Sequence, residues 1–246
     1  VFNMKLKTAI TYRLTYQTRS LLIYMAYFTV FACLMPLLAI FLSDTTEIVH
    51  SDIIFSAICF MFILALIGIN SDFKLFIQNG LSRQNIFLAN IWTNALISVG
   101  FSGLLVLIQK LFDRPLISNF RFEIFLVDLY SKSAFFPSWF LLFFFLFFAS
   151  TIGVVIGTFN ELFSGIQKIL ILLALIMIPT LVGLLFQTID KQITMNILDS
   201  LKEILGISST GLNIWPLVGT LLVLITINLL LSFLMNQKRE IKRING

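Results

Sequence analysis

Histidine occurs once in this 246-residue chain, cysteine twice and proline five times, and charged residues make up only 12% of it. Each scarcity removes a class of function. The single imidazole, His50, lies among Asp44, Glu47 and Asp52. One ring without a second nitrogen or thiolate ligand holds zinc or copper poorly, so a solvated loop is expected there rather than a metal site. Cys33 and Cys59 have no CxxC or Cys/His spacing and fall within apolar runs, where packing is their expected role. No GxxxxGK[ST] occurs, so the chain does not bind ATP through a P-loop. No pair of acids lies within an apolar run, which argues against a carboxylate-driven proton pump and an aspartyl-type intramembrane protease.

One motif imitates a catalytic site. Gly100-Phe101-Ser102-Gly103 fits the GxSG pattern of rhomboid-type intramembrane serine proteases. A serine nucleophile needs a base to take its proton, and no histidine follows this serine anywhere in the chain. An enzyme is therefore not expected, and any ATP hydrolysis belongs to a partner.

What the chain does have is apolar length. Six stretches free of Asp, Glu, Lys, Arg and His cover roughly residues 21–42, 53–69, 86–109, 138–159, 169–187 and 214–235. Each approaches the ~20 residues with which a helix crosses the hydrocarbon core. A lipid-exposed backbone must satisfy its hydrogen bonds internally, and continuous apolar runs lack the alternation of a β-barrel. The expected fold is an all-α, six-helix transmembrane bundle. Residues 1–20 form an amphipathic cytoplasmic segment, 21–235 the membrane domain and 236–246 a basic cytoplasmic tail. The first run is too long for the apolar part of a cleaved signal peptide and is expected to stay as a span. No other stretch is long enough for a soluble catalytic domain.

Charge sets the expected orientation. Eleven of the 17 Lys and Arg (Lys5, Lys7, Arg13, Arg19, Lys74, Arg83, Lys168, Lys238, Arg239, Lys242 and Arg243) fall on the side holding both termini. Only Asp72, Glu161 and Glu240 accompany them, giving that side a formal charge of +8 against −3 on the other. Basic residues accumulate in loops that stay inside, so both termini are expected in the cytoplasm. The excess positive charge then faces anionic headgroups of the lipid bilayer, and nucleic-acid binding is not expected.

Leu6, Ile10 and Leu14 recur at helical spacing among Lys7, Arg13, Gln17 and Arg19, which predicts either an interfacial amphipathic helix or a basic flank. In the third run, Asn90, Asn94, Ser98 and Ser102 repeat every four residues and form a polar stripe, which either packs against protein or lines a substrate path. Ala149, Gly153 and Gly157 make a small-residue seam in the fourth. Pro36 and Pro179 predict bends inside the first and fifth runs, whereas Pro137 and Pro216 suit first helical turns. Residues 197–205 have an amphipathic helical period on the outer side.

The connection over 70–85 is the most distinctive polar segment. Asp72, Phe73, Lys74, Leu75, Phe76, Ile77 and Gln78 interleave aromatic and polar residues, Asn79-Gly80 is a helix stop, and Ser82 is a helix cap. Exposed aromatics in so short a loop predict a separate short helix that docks on a partner or lies on the headgroups. A second inner turn, with Asn160, Glu161 and Phe163, has the same character.

With its span layout, its N-terminal amphipathic segment, the stretch DFKLFIQNGLSRQNIFLAN and an outer helix before the last run, the chain resembles an ABC-2-type exporter membrane subunit. The likeness covers nearly the whole chain and is greatest to small Gram-positive permeases linked to export of, or immunity to, antimicrobial or cytolytic peptides. It implies a cytoplasmic-membrane permease in a bacterium, moving amphipathic or lipophilic cargo. It further implies an ATP-binding cassette partner that carries ATP and magnesium, no cofactor in this chain, and a second permease subunit in a homodimer or heterodimer. By the same resemblance, Asp72 to Gly80 is the coupling segment, and Asn160, Glu161 and Phe163 belong to a smaller second one. The long outer segment before residue 138 departs from minimal members of that family. The alternatives are a substrate-capturing subunit of a vitamin importer, which predicts a compact polar outer pocket, and a non-transporting immunity protein.

Overall fold

In the computed structural model, the described residues are 2–34, 38, 41–42, 49–112, 120–131, 134–188, 191–208 and 211–239. Pro36, Asp44, Glu47 and the tail beyond 239 lie outside them. Helix α1 runs over Phe2–Phe28 and passes into a π-helical stretch at Thr29–Leu34. Strand β1 (Val49–Asp52) precedes α2 (Ile54–Gln78) and α3 (Arg83–Phe112). Strand β2 (Phe120–Glu123), α4 (Phe125–Ser131) and α5 (Phe135–Leu162) follow. Next come α6 (Gly165–Thr188), α7 (Lys191–Ile204), the strands β3 (Ile207–Ser208) and β4 (Gly211–Leu212), and α8 (Ile214–Gln237). The described chain is mostly helical, and α2, α3, α5 and α8 are long and apolar enough to cross a membrane.

Helix α5 is the centre, packing on α2, α3 and α8. Its glycine seam explains the closest of these contacts. A Cβ on Gly153 would stand 2.4 Å from the Phe62 carbonyl oxygen and 3.0 Å from Ala65 Cβ, and one on Gly157 would stand 2.6 Å from Ile69 Cδ1. Only hydrogen at these positions lets the two backbones approach so closely. The dry core beside the seam includes Met61, Phe101, Leu105, Leu142 and Leu146.

Contacts also give the direction of each helix. Gly153 lies at Phe62 and Gly157 at Ile69, so α2 and α5 run the same way. The Asn228 amide lies 3.3 Å from Thr151 Oγ1, and the Phe140 and Trp215 rings are 6.4 Å apart, so α8 runs with them. Helix α1 opposes α2, with Arg13 at Asp72 and Tyr24 stacked on Phe60. It follows α3, with Gln17 at Asn94 and Tyr24 against Phe101. Residues Lys5, Arg83 and Arg239 therefore gather at one end, called here the basic end. The far end holds β1 paired in parallel with β2, together with the hairpin β3–β4.

The N-terminal amphipathic segment runs into the first apolar stretch as the one helix α1, with Arg13, Gln17 and Leu21 continuing one buried stripe. The structure corrects one expected boundary: 72–78 is not a separate short helix. Ala65, Ile69, Phe73 and Phe76 hold one buried face at helical spacing, so α2 continues to Gln78. It stops as the residues predict. Gly80 has φ +75°, Leu81 N–H donates to the Phe76 carbonyl at 3.0 Å and Gly80 N–H to Ile77 at 2.9 Å, the two bonds of a Schellman motif. Ser82 Oγ then accepts from Asn85 N–H at 3.3 Å and caps α3. Pro137 and Pro216 sit in first turns, Pro179 lies inside α6, and the outer amphipathic segment is helical as α7.

Candidate functional site

At the basic end, the segments 72–80 and 160–163 meet because they terminate the two helices locked by the glycine seam. Arg239, just beyond α8, joins them. Its guanidinium lies 3.9 Å from the centre of the Phe73 ring and donates to the Ile69 carbonyl at 3.3 Å. Burial pushes the Arg239 guanidinium down to about 10, while the charge of Glu161 on α5 holds it up. The group thus stays protonated at neutral pH and ties the end of α8 to α2. Arg83 Nη1 donates to the Gln237 carbonyl at 2.6 Å, and Asn236 Nδ2 donates to that of Arg83 at 2.9 Å, which fastens α3 to the same corner.

The expected docking segment divides into two faces. Phe73 and Phe76 are only 3% and 5% exposed and pack with Ala9, Leu81, Ile86 and Ala89, with Leu6, Ile10 and Ile77 alongside. They are therefore internal contacts, contrary to the expectation of exposed aromatics: α1 covers the side that the sequence pattern leaves open. The outward residues are Leu75, Gln78, Asn79 and Gly80, while Asp72, Lys74 and Ile77 are half-buried. Leu75 borders a groove of about 560 Å³ between α1 and the end of α2, with Met4, Lys5, Tyr12, Phe76 and Leu81. Lys5 Nζ reaches the Asn79 carbonyl at 3.4 Å across it. On the second segment Asn160 is exposed and accepts from Lys168 Nζ at 2.6 Å, and Glu161 and Phe163 are half-buried.

Deeper in, α1 brings polar groups to the stripe of α3. Asn90, Asn94, Ser98 and Ser102 are all buried, the last two completely. Gln17 Nε2 donates to Asn94 Oδ1 at 3.1 Å, while Ser98 Oγ donates to its own helix at the Asn94 carbonyl, 2.8 Å away. The stripe thus faces protein. Arg13, 1% exposed, forms an ion pair with Asp72 through Nη1. Nε and Nη2 of Arg13, Oε1 of Gln17, Oδ1 of Asn90 and Nδ2 of Asn94 have no hydrogen-bond partner among the described residues. The sequence pattern put Arg13 and Gln17 on the polar side of an interfacial amphipathic helix or in a basic flank, and the structure buries both. Their i, i+4 spacing on α1, equal to that of Asn90 and Asn94 on α3, was the available sign of their contact.

At the far end, a cavity of about 680 Å³ lies between the first turns of α5 and α8 and is bordered by β3–β4. Among the described residues no cluster of His, Cys, Asp and Glu could hold a metal ion, and Cys59 is an exposed free thiol. Ser102, the serine of the GxSG pattern, donates to the Val99 carbonyl at 3.0 Å and is buried.

No family model matches the chain, and neither characterised proteins nor solved structures gave a match.

Proposed function

We propose that this chain is the membrane-spanning permease subunit of an ATP-driven exporter of ABC-2 type, working with a separate ATP-binding cassette subunit and a second permease subunit. The observation that carries the reading is that Arg239, at the end of the bundle where basic residues gather, lies over Phe73 of the 72–80 segment, with the charge of Glu161 from the 160–163 segment acting on it. Two loops that receive force from one soluble partner must lie side by side, and these are the ends of one rigid helix pair.

Helix direction supports the six-span form. Helix α5 ends at the basic end and α8 starts at the far end, so residues 163–213 return along the whole bundle. Within them α6 has 24 residues, or ~36 Å of helix, enough for the hydrocarbon core. With α1 as the first crossing, the helices alternate and both ends of the chain lie on one side, which the charge bias puts in the cytoplasm of a bacterial cell. An aromatic far cavity whose described lining carries no charge favours amphipathic or lipophilic cargo over the small polar ligand of an importer. ATP and magnesium act in the partner, whose closure moves the bundle between inward and outward openings.

The test is copurification of a P-loop ATPase with the tagged chain in mild detergent, compared with the Leu75→Asp/Gln78→Asp variant. These two positions are exposed, so the fold survives the change, whereas Phe76→Asp would break the packing under α1. Near one-to-one recovery that falls at least about tenfold in the variant, ~1.4 kcal/mol of docking energy, is the expected result. Recovery of no ATPase, or equal recovery with both chains, overturns the proposal.

A further inference from the structure

The far end carries a second built site that the coupling argument does not use. Its cavity of about 680 Å³ falls in the size range of pockets for small organic ligands. Among its lining residues are Tyr130, Phe136, Trp139, Phe140, Asn213 and Trp215, and none of the described residues that line it is charged. Trp139 is held in place by donation from Nε1 to the Val99 carbonyl at 3.2 Å, and Phe140 by an edge-on contact with Phe144 at 4.8 Å.

The opposite wall is equally fixed. Tyr130 Oη donates to the Leu205 carbonyl at 2.8 Å, and Asn213 N–H donates to that of Gly206 at 2.8 Å. Gly206 has φ +75°, and a Cβ there would lie 2.0 Å from the Asn213 oxygen, so the hairpin closes only with glycine. The floor is made by the apolar first turns of α5 and α8, and the rim by the polar backbone of β3–β4. Tryptophan and tyrosine favour the boundary between hydrocarbon and water. A cavity that is apolar within, polar at its rim and placed at that boundary fits a molecule with the same division.

We propose that this cavity binds the hydrocarbon chain of a single-chain amphiphile at the far membrane boundary, with the polar head of the ligand at the β3–β4 rim. The aromatic walls give the selectivity. Bulk lipid offers a chain the same apolarity as leucine, so a preference over the bilayer must come from shape and ring contacts. The inference requires membrane embedding alone and needs no ATPase.

The experiment uses the full chain in phosphatidylcholine nanodiscs and a single-chain phosphocholine with a diazirine at mid-chain, with labelled peptides mapped after irradiation. The exposed α8 face at Leu222, Val223 and Leu230 reports contact with bulk hydrocarbon. Labelling at 136–140 and 211–215 is expected to saturate and to exceed that of the α8 face about fivefold, equivalent to ~1 kcal/mol. Leu212→Trp, which puts a bulky ring into the cavity, should bring it down to the level of that face. Phe140→Ala, which removes a wall, should lower it as well and guards against misfolding of the first variant.

Excess unlabelled amphiphile and a diazirine-bearing two-chain phospholipid identify the source. Competition by the amphiphile alone means that a detached single-chain ligand enters, which supports the proposal, whereas saturable labelling by the two-chain phospholipid to the same level means that a bilayer lipid fills the cavity, which overturns the proposal. Labelling no stronger than on α8, or unchanged in both variants, overturns it. Because no ATPase is present, such a failure leaves the exporter proposal standing, and loss of ATPase copurification leaves the cavity standing.

Discussion

Replacing Gly153 with alanine puts one methyl group where the backbones of α2 and α5 are closest. The added carbon would sit 2.4 Å from the Phe62 oxygen and 3.2 Å from the Phe62 carbonyl carbon. Neither is the end of a flexible side chain, so relief requires the helices to part by roughly 1 Å, to ordinary contact. A gap of that size forfeits about a quarter to a half of the dispersion energy of each contact along the seam. Overpacking of this kind costs about 1–3 kcal/mol, and alanine in place of glycine inside a helix returns ~1 kcal/mol. The net is a destabilisation of up to about 2 kcal/mol, or up to about 4–8 °C for a chain of this size. Gly100 on α3 is the control, since a Cβ there meets nothing within 4 Å. Gly100→Ala should leave stability unchanged or raise it by up to ~1 kcal/mol. Thermal unfolding of both variants in one mild detergent, followed by far-ultraviolet circular dichroism, gives the comparison. Equal midpoints for the two, or a Gly153→Ala midpoint above that of the parent chain, would refute the backbone-contact reasoning.

Asp72→Asn leaves the Arg13 guanidinium buried without its counter-charge, and removal of one partner from a buried pair costs about 3–5 kcal/mol. The double change Arg13→Met/Asp72→Met should recover most of that loss in the same melting assay, and a double variant no better than Asp72→Asn would count against the pair. Gln17→Leu or Asn94→Leu alone strands a buried amide at about 1–3 kcal/mol, whereas both together should cost less than their sum; strict additivity would show that the two side chains do not meet. Gly80→Ala forces a side chain into a left-handed position and should lower stability by ~1 kcal/mol, and no loss would argue against the turn described.

Apolar length, turn chemistry and small residues were the legible parts of this molecule. Asn79-Gly80 and Ser82 end one helix and begin the next because those residues supply, within a few positions, every bond the turn needs. The seam of Ala149, Gly153 and Gly157 was legible for the same reason, since its spacing alone defines one face of a helix. What the residues could not give was the partner of each face. Phe73 and Phe76 look exposed when the helix ends are judged from charge, yet α1 lies across them. Arg13 and Gln17 look solvated for the converse reason, that their neighbours in sequence are polar while those in space belong to α2 and α3. Contacts at separations of 59 and 77 residues decide both cases. The aromatic far cavity was invisible too, because its walls come from α4, α5 and the 205–215 segment, and no local pattern joins them.

The two kinds of interface in this bundle have different mechanical consequences. Helices α2 and α5 meet backbone to backbone through glycine, and a close-packed contact of that type transmits displacement with little give. Helix α1 meets α2 and α3 through apolar contacts such as Tyr24 on Phe60 and, between them, through an ion pair, an amide pair and several polar atoms without hydrogen-bond partners among the described residues. Polar contacts can be exchanged for others of similar energy when a helix slides or turns, and an apolar glycine seam has no such substitutes. Under the exporter proposal, a load applied at the outward face of Leu75 and Gln78 would be shared by α5 through the seam and by α8 through Arg239. Relative motion would then concentrate at α1, whose Arg13 and Gln17 have spare donors and an acceptor with which to re-pair.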